Sequence, residues 1–586
     1  MNLGDNFVLL ETERRDRENS QNILFTNPVD IIVAQREDSL RNSFKKIDKY
    51  LRQQFYVAGF ITYEAGYMME DVLRPYGNKT EQPLLWFGVY KSPRISNKPF
   101  ITEANNDYYL SAPRMSIPYN DYVKNIKIIK DFISRGHVYQ INYTLKNKFT
   151  FYGDIVSFYK ALKDNQKVAY CALIGCQDKY IVSLSPELFF RICESNIKVK
   201  PMKGTAPANL PLRWLTRDKK NMSENVMIVD LLRNDLGRIC QPGTVNVSKM
   251  YDVERYDTVL QMTSTISGML RPGINAHDII SNIFPSGSVT GAPKIQSMKI
   301  ISDLEKAPRG IYTGAIGYFG PKGESVFSVA IRTIELNASG VGKYHGEMGV
   351  GGGIVHESNA KKEYDECRLK GKFLIKSIPK IVLIETMLCK DGKIKFLRMH
   401  LRRLRESARY FLMPCNILAI ENDLKKYAHK LKGQIRLRLT LKSNGKVKIE
   451  HRRLPDVSPV APHVAFSEYA TNSENPFLFH KTSCRALYDQ EYFKNFSQGF
   501  YDVLFCNEKK QITEGAISNI FVQIKGRYYT PPVFCGLLNG VQRQVFIKKF
   551  AAKERILYRR DLEKAEKIIL TNSIRGAKQV YLRDNC

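Results

Sequence analysis

The stretch KSIPKIVLIETM, around Ser377 to Pro379, is the feature that most limits how this chain can fold. Before it a charged helical pattern runs to about Ile375; after it an apolar strand, IVLIETM, meets a Lys-Asp-Gly turn at Lys390 to Gly392 and continues as IKFL. A helix that ends at a proline-bearing joint, followed at once by a hairpin, reads as the end of one folding unit and the start of another. At 586 residues the chain is in any case too long for one core. Two units are expected, residues 1–377 and 380–586.

Composition excludes more than it assigns. Hydrophobic residues at 43% and charged ones at 25% describe an ordinary globular protein. No run of about 18 apolar residues is available to span a bilayer. The opening MNLGDNFVLLETERRDREN lacks a basic segment followed by an apolar one, so no signal peptide is expected. Eleven cysteines, an odd number without a Cys-x-x-Cys pair, fit reduced thiols and a cytoplasmic location. The net charge of +32 raises nucleic acid as a partner, but the 90 Lys and Arg are spread along the chain and no nucleic-acid-binding signature appears. A lysine-rich solvated surface accounts for the charge, and its field can gather small polyanions.

Helical spacing marks four segments. Residues 121–135 end before Gly136, a C′ position; residues 223–236 have Ser223 as N-cap. A third helix opens at Pro293 and runs through IQSMKIISDLE, and a fourth covers 361–376. Strand-like runs such as KYIVSLS, KVKPMKG and GAIGYFG lie between them, so both halves are predicted to be α+β.

On the fourth helix Glu363, Glu366 and Lys370 fall at i, i+3 and i+7 and share a face. Just upstream, GVGGGIV supplies Gly349, Gly351, Gly352 and Gly353, a glycine loop whose backbone N–H groups can approach an anion. Carboxylates facing such a loop suit a hard cation, and magnesium typically takes one or two carboxylates plus substrate oxygens. By spacing alone the same residues read more readily as a salt-bridged surface helix after a flexible turn.

From Tyr119 to about Lys376 the chain resembles the chorismate-utilising family of anthranilate, aminodeoxychorismate and isochorismate synthases. The resemblance is carried in family order by GHVYQINYT from Gly136, SLSPELFF from Ser183, PMKGTAP from Pro201 and SENVMIVDLLRNDLGR from Ser223. It continues through VERYDTVLQMTSTISG from Val253, FPSGSVTGAPK from Phe284, PRGIYTGAIGYFG from Pro308, VAIRT from Val329 and GVGGGIV…KKEYDEC from Gly349. VLLETER at Val8 matches more weakly.

This resemblance implies one large domain with a layered β-sandwich around the active site. It implies Glu224 and Glu366 as Mg²⁺ ligands with Glu363 beside them. Tyr312 and Arg332 would grip the pyruvyl carboxylate, a task suited to a phenol and a planar guanidinium. Ser288 and Gly351, Gly352 and Gly353 would meet the ring carboxylate, and Lys370 would add positive charge. Lys203, in PMKGT, matches the lysine of aminodeoxychorismate synthases, where anthranilate-forming relatives carry a small residue. In that mechanism the amine attacks C2 of chorismate and expels the C4 hydroxyl, and ammonia then attacks C4 and releases the lysine. Glu187 matches the acid that protonates the departing hydroxyl and later serves as base. Without the surrounding motif Lys203 reads as a strand-end surface lysine. Gln261 stands where many anthranilate synthases carry His.

From about Ile381 to Asp584 the chain resembles the fold-class IV pyridoxal-phosphate enzymes, on MHLRRLRESARYF, FHKTSCRALYD, ITEGAISNIFV, YTPPVFCGLLNGVQR and LTNSIRG. That implies a two-subdomain α+β fold and pyridoxal 5′-phosphate. Lys481 would bind its aldehyde, and Glu514 would pair with its ring nitrogen. Arg403, the backbone at Gly540 and Val541, and Ser573 would hold its phosphate. Arg575 would meet a substrate carboxylate. Aminotransferases, D-amino-acid transaminases and aminodeoxychorismate lyase share this site, so the fold does not decide the reaction; the attached synthase, whose product would be the substrate, selects the lyase.

Together the resemblances imply synthesis of 4-aminobenzoate, for folate, from chorismate and ammonia. An anthranilate synthase component fused to a class IV aminotransferase is the alternative. No Gly-rich nucleophile-cysteine elbow with His and Glu partners is seen, which implies a separate glutamine amidotransferase subunit. A homodimer through the C-terminal half is expected; a nucleic-acid or membrane partner is not.

Overall fold

The computed structural model describes residues 3–583 apart from 17–18, 78–81, 103–107, 112, 208–210, 256–258, 341–342, 377–380, 412, 443, 455–461 and 474. The joint expected near Ser377 to Pro379 therefore lies outside the described residues.

Two antiparallel sheets, of eleven and ten strands among the described residues, build the N-terminal half. They pack face to face through Val8, Phe25, Ile174 and Ile181 of one and Phe60, Trp86, Ile316 and Tyr318 of the other. Helices cover both outer faces. Tyr119–Ser134, Lys294–Leu304 and Ala360–Lys376 set Ile126, Met298 and Leu374 against Leu173 and Val350. Glu37–Arg52, Lys219–Gly237 and Ala276–Ile283 set Phe44, Ile228 and Ile280 against Phe190 and Phe327. Strands covered on both sides cannot alternate apolar with polar, which is why LWFGVY, Leu85–Tyr90, is buried throughout. The layers are those the resemblance implied.

Local signals hold with one correction. The helix Tyr119–Ser134 ends at Arg135, and Gly136 follows with φ of +77°. Pro293 caps Lys294–Leu304. Ser223, however, is no N-cap: the helix already runs from Lys219, and Met222 N–H donates to the Asp218 carbonyl at 3.0 Å. Lys, Asn and Met carry no helix-breaking chemistry, so the first turn forms upstream of the serine.

Strands Gln140–Gly153 and Lys343–Ile354 form a twelve-pair ladder, from Ile141 opposite Ile354 to Tyr152 opposite Lys343. Its first end carries the glycines beside the acidic helix Ala360–Lys376. At the other end Tyr109 pairs with Tyr152 and also reaches the C-terminal half, its ring 6.0 Å from Phe411 and 5.8 Å from Phe477.

The C-terminal half has two subdomains. A four-stranded antiparallel sheet is backed by Leu397–Tyr410 and Ile417–His429; an eight-stranded sheet, mostly antiparallel, forms the other. The expected hairpin joins Val382–Lys390 to Lys393–Ile394. Its turn residues Asp391 and Gly392 have φ of +45° and +80°, the left-handed pair that a two-residue hairpin turn requires. No helix among the described residues is long and apolar enough to cross a membrane.

Candidate active sites

Lys203 stands on a bulge. The register of Met202–Pro207 against Val259–Met269 slips between Met202 and Thr205, and Gly204 takes φ of +86°. Such a bulge re-aims the side chain beside it. Glu187, Glu224, Glu366 and Lys370 all act on the Lys203 amine. Burial pulls the amine below the ordinary lysine range and Lys370 adds to the fall, while the three carboxylates oppose it. Glu187 is 4% exposed, and burial pushes it up to about 7 against the hydrogen bond from Ser288 Oγ (2.6 Å) and the charge of Lys203. An amine biased toward its neutral form thus faces a carboxyl that holds its proton near neutrality, the states that a nucleophile and a proton donor need.

The glycines correct an expectation. Gly349, Gly351, Gly352 and Gly353 lie inside the strand Lys343–Ile354, not in a loop, and none has a positive φ. Their requirement is steric. A Cβ at Gly349 would stand 2.0 Å from the Tyr312 ring, at Gly351 2.5 Å from the Tyr143 carbonyl oxygen, and at Gly353 1.8 Å from Gln140 Nε2. Gly352 differs: within 4 Å its Cβ would meet only Glu363 Oε2 at 3.4 Å and Lys370 Nζ at 3.9 Å. It fronts the acidic helix across a gap.

On that helix Glu366 pairs with Lys370 at 2.8 Å, and Lys370 also donates to the Gly351 carbonyl at 2.7 Å. Glu363 accepts from Ser358 Oγ at 2.9 Å. Among the described residues no three acidic, His or Cys side chains form a ready metal cage. Magnesium, however, usually keeps waters or substrate oxygens around one or two carboxylates. Glu224 and Glu366 both bear on the Lys203 amine, and their chemistry fits that coordination.

Tyr312 joins the site through Gly349 and sits on a segment fixed by residues that sequence reasoning missed. Buried Arg309 takes both oxygens of Glu305 at 2.8 Å each and the carbonyls of Val289 and Asn142, while its own N–H donates to Glu64. Arg332 adopts φ of +51° and donates to Gln166 Oε1 at 2.6 Å. Gln261 lies opposite Thr205, its Oε1 buried without a hydrogen-bond partner among the described residues.

In the C-terminal half the Lys481 carbonyl accepts from Ile384 N–H at 2.8 Å, which docks the FHKT segment on the edge of Val382–Lys390. Burial, then Arg485 and Arg403, bring the Lys481 amine down to about 7. Glu514, 7% exposed, is pushed up to about 8 by burial and receives Asn519 Nδ2 at 3.0 Å. Gly540 caps the helix Val541–Phe550, and a Cβ there would stand 2.1 Å from Asn519 Oδ1. Ser573 occupies the turn between Lys567–Asn572 and Gly576–Leu582. Arg403 is half committed. Its Nε and Nη2 grip the two oxygens of Glu385 at 2.8 and 2.7 Å, and Nη1 takes no part in that pair. Burial raises the Glu385 pKa, but Arg403 and His400, whose Nδ1 lies 2.6 Å away, bring it to about 2. A lysine of lowered pKa, a buried acid and a glycine-capped helix N-terminus fit pyridoxal 5′-phosphate. Arg575 lies over the Tyr501 ring at 4.9 Å.

Residues 5–376 match the family model described as chorismate binding enzyme, and residues 382–581 that of amino-transferase class IV. The probable chloroplastic aminodeoxychorismate synthase of Oryza sativa subsp. japonica is 38% identical over 294 residues, covering 48% of this chain and 31% of its own length. Anthranilate synthase component 1 of Saccharolobus solfataricus is 35% identical over 266 residues, 44% of this chain and 62% of its own. Anthranilate synthase component I of Streptococcus pneumoniae TIGR4 superposes with a TM-score of 0.53 at 25% identity, over 62% of this chain and 93% of that structure. The chain thus spans 31% to 62% of the length of these two curated relatives. With well over half its length matched by one model, the chain belongs to the chorismate binding enzymes, here fused to a class IV aminotransferase domain.

Proposed function

We propose that this chain makes 4-aminobenzoate from chorismate in two steps: amination at C4 in the N-terminal half, residues 1–377, then release of pyruvate in the C-terminal half, residues 380–586. The buried amine of Lys203 beside Glu187, Glu224 and Glu366 is the observation that carries this reading. Lys203 attacks C2 of chorismate; the ring double bonds shift, and the C4 hydroxyl leaves as water on a proton from Glu187. Ammonia then bonds to C4, the C2–nitrogen bond breaks, and Glu187 takes back a proton. Tyr312 and Arg332 hold the pyruvyl carboxylate, and Ser288, Gly351, Gly352, Gly353 and Lys370 the ring carboxylate. Glu224 and Glu366, with Glu363 beside them, would hold magnesium, whose charge anchors a substrate carboxylate.

Pyridoxal 5′-phosphate, on Lys481, Glu514, Arg403, Ser573 and the backbone of Gly540 and Val541, supplies an electron sink. The Lys481 amine, near neutrality at about 7, takes the proton from ring C4. Glu514, at about 8, keeps a proton available to the cofactor nitrogen. The resemblance supplies the rest of this reading: ammonia from a separate glutamine amidotransferase subunit, pairing of C-terminal halves as a homodimer, and a cytoplasmic setting.

Product analysis tests it. Purified protein given chorismate, ammonia, Mg²⁺ and pyridoxal phosphate should release 4-aminobenzoate and pyruvate; anthranilate as main product overturns the reading. Glu366→Gln should slow metal-dependent chorismate turnover about a hundredfold through loss of a ligand charge, with the visible absorbance of the C-terminal half unchanged. Wild-type turnover in excess chelator contradicts the metal role. Ser288→Ala tests the acid. The serine's hydrogen bond lowers the Glu187 pKa, so its loss raises that pKa and the proton is kept to higher pH. The falling alkaline limb of chorismate turnover should move upward in pH; a limb that stays in place removes Glu187 from the proton transfer.

A further inference from the structure

The face of the four-stranded sheet turned away from its helices gathers positive charge that its surroundings do not balance. Along Gln434–Lys442, Ile435, Leu437, Leu439 and Leu441 are buried in the helix-side core. Arg436 and Arg438 therefore share the opposite face. Arg452 is the cross-strand partner of Arg436, and Glu450 that of Arg438. Arg575 approaches from the second subdomain. Burial together with the charges of Arg438, Arg452 and Arg575 lowers the Arg436 pKa.

Among the described residues, Arg436, Arg452 and Arg575 make no ion pair with a carboxylate. Two acids lie near. Glu450 is tied to Lys448 at 2.5 Å, with Arg438 beside it. Asp502 is within reach of Arg575's charge, but its oxygens accept from the Ser518 hydroxyl and the N–H groups of Val503 and Ile517. Arg575 instead lies over the Tyr501 ring at 4.9 Å, with Tyr492 near its charge. Guanidinium groups brought together without counter-ions repel one another, and a bound anion relieves that repulsion through paired N–H donors.

The group borders the site already described. Ile384, whose N–H holds the Lys481 carbonyl, is the cross-strand partner of Thr440, two residues from Arg438. Arg575 is two residues from Ser573. We propose that Arg436, Arg452 and Arg575 form an anion-recognition wall that selects a dicarboxylate for the C-terminal half over an ordinary amino acid. This deepens, and rests on, the pyruvate-releasing reading above. Aminodeoxychorismate carries a ring carboxylate and an enolpyruvyl carboxylate, whereas a simple aminotransferase substrate offers one carboxylate next to its amine.

The test uses the full chain loaded with pyridoxal phosphate, in wild type, Arg436→Gln, Arg575→Gln, the double variant and the charge-keeping Arg436→Lys. The neutral variants should raise KM for supplied 4-amino-4-deoxychorismate roughly tenfold or more, with kcat nearly unchanged. Arg436→Lys should retain most of the affinity. A non-reacting dianion, 3-carboxymethoxybenzoate, should perturb the visible absorbance of the C-terminal half in wild type and bind at least about tenfold more weakly to the double variant. Benzoate, a monoanion, should not distinguish them. If wild type releases pyruvate and the neutral variants match it in KM and in dianion affinity, the wall is wrong. A wild type that releases no pyruvate refutes the lyase reading instead. The dianion then decides alone: affinity lost in the double variant upholds the wall, and affinity kept overturns it.

Discussion

Lys203→Ala should stop 4-aminobenzoate formation from chorismate while pyruvate release from supplied 4-amino-4-deoxychorismate continues at the wild-type rate. The loss should reach at least about a thousandfold, because removing a covalent nucleophile eliminates a route and does not merely loosen an orientation. The site explains why this lysine can act: burial and Lys370 favour its neutral form, while Glu187 at about 7 keeps a proton for the leaving hydroxyl. Ammonia can attack C4 directly at high concentration, so the assay has to span ammonia levels. Wild type held without ammonia should show a chorismate-derived adduct on the peptide containing Lys203. A variant that matches wild type across the whole ammonia range removes the covalent role.

Lys481→Ala should erase the visible band, at about 410–430 nm, that a lysine-bound pyridoxal cofactor gives. It should abolish pyruvate release and leave the N-terminal half making 4-amino-4-deoxychorismate, which accumulates. The two substitutions are reciprocal: one removes the first product and keeps the second activity, the other does the reverse. A colourless wild type that pyridoxal phosphate cannot reconstitute would refute the C-terminal assignment.

What the chain's letters disclosed depended on how local the cause was. The Asp391–Gly392 turn and Gly136 are read from two or three neighbours, and both stand where expected. Lys203 was legible through the PMKGT motif and not through spacing, because its carboxylate neighbours arrive from Glu187, Glu224 and Glu366, far apart in the chain. The glycines were located but expected in a loop; they lie in a strand, and the crowding at Gly349, Gly351 and Gly353 could not be read because its partners, Tyr312, Tyr143 and Gln140, lie on other segments. Glu385 was missed although a signal existed. In VLIETMLCK the alternate positions Leu383, Met387 and Cys389 face a core, and an acid among them is buried and must be paired. Arg309 showed only an i, i+4 spacing to Glu305; its other partners, the carbonyls of Val289 and Asn142, are brought to it by the fold.

The ladder between Gln140–Gly153 and Lys343–Ile354 sets a length scale for chemistry in two places. Ten residues separate Gly353, beside the acidic helix, from Lys343, about 33 Å of extended strand. Past that end Tyr109 packs on Phe411 and Phe477, whose neighbour His480 precedes Lys481. A molecule released at the glycine end therefore starts some tens of ångströms from the second lysine and is not itself tethered to either half. Joining the two sites in one chain fixes their ratio at one to one but does not hold a released intermediate near the second site. An added scavenger in excess over the protein should therefore intercept the intermediate, and undiminished 4-aminobenzoate in its presence would point to direct transfer instead.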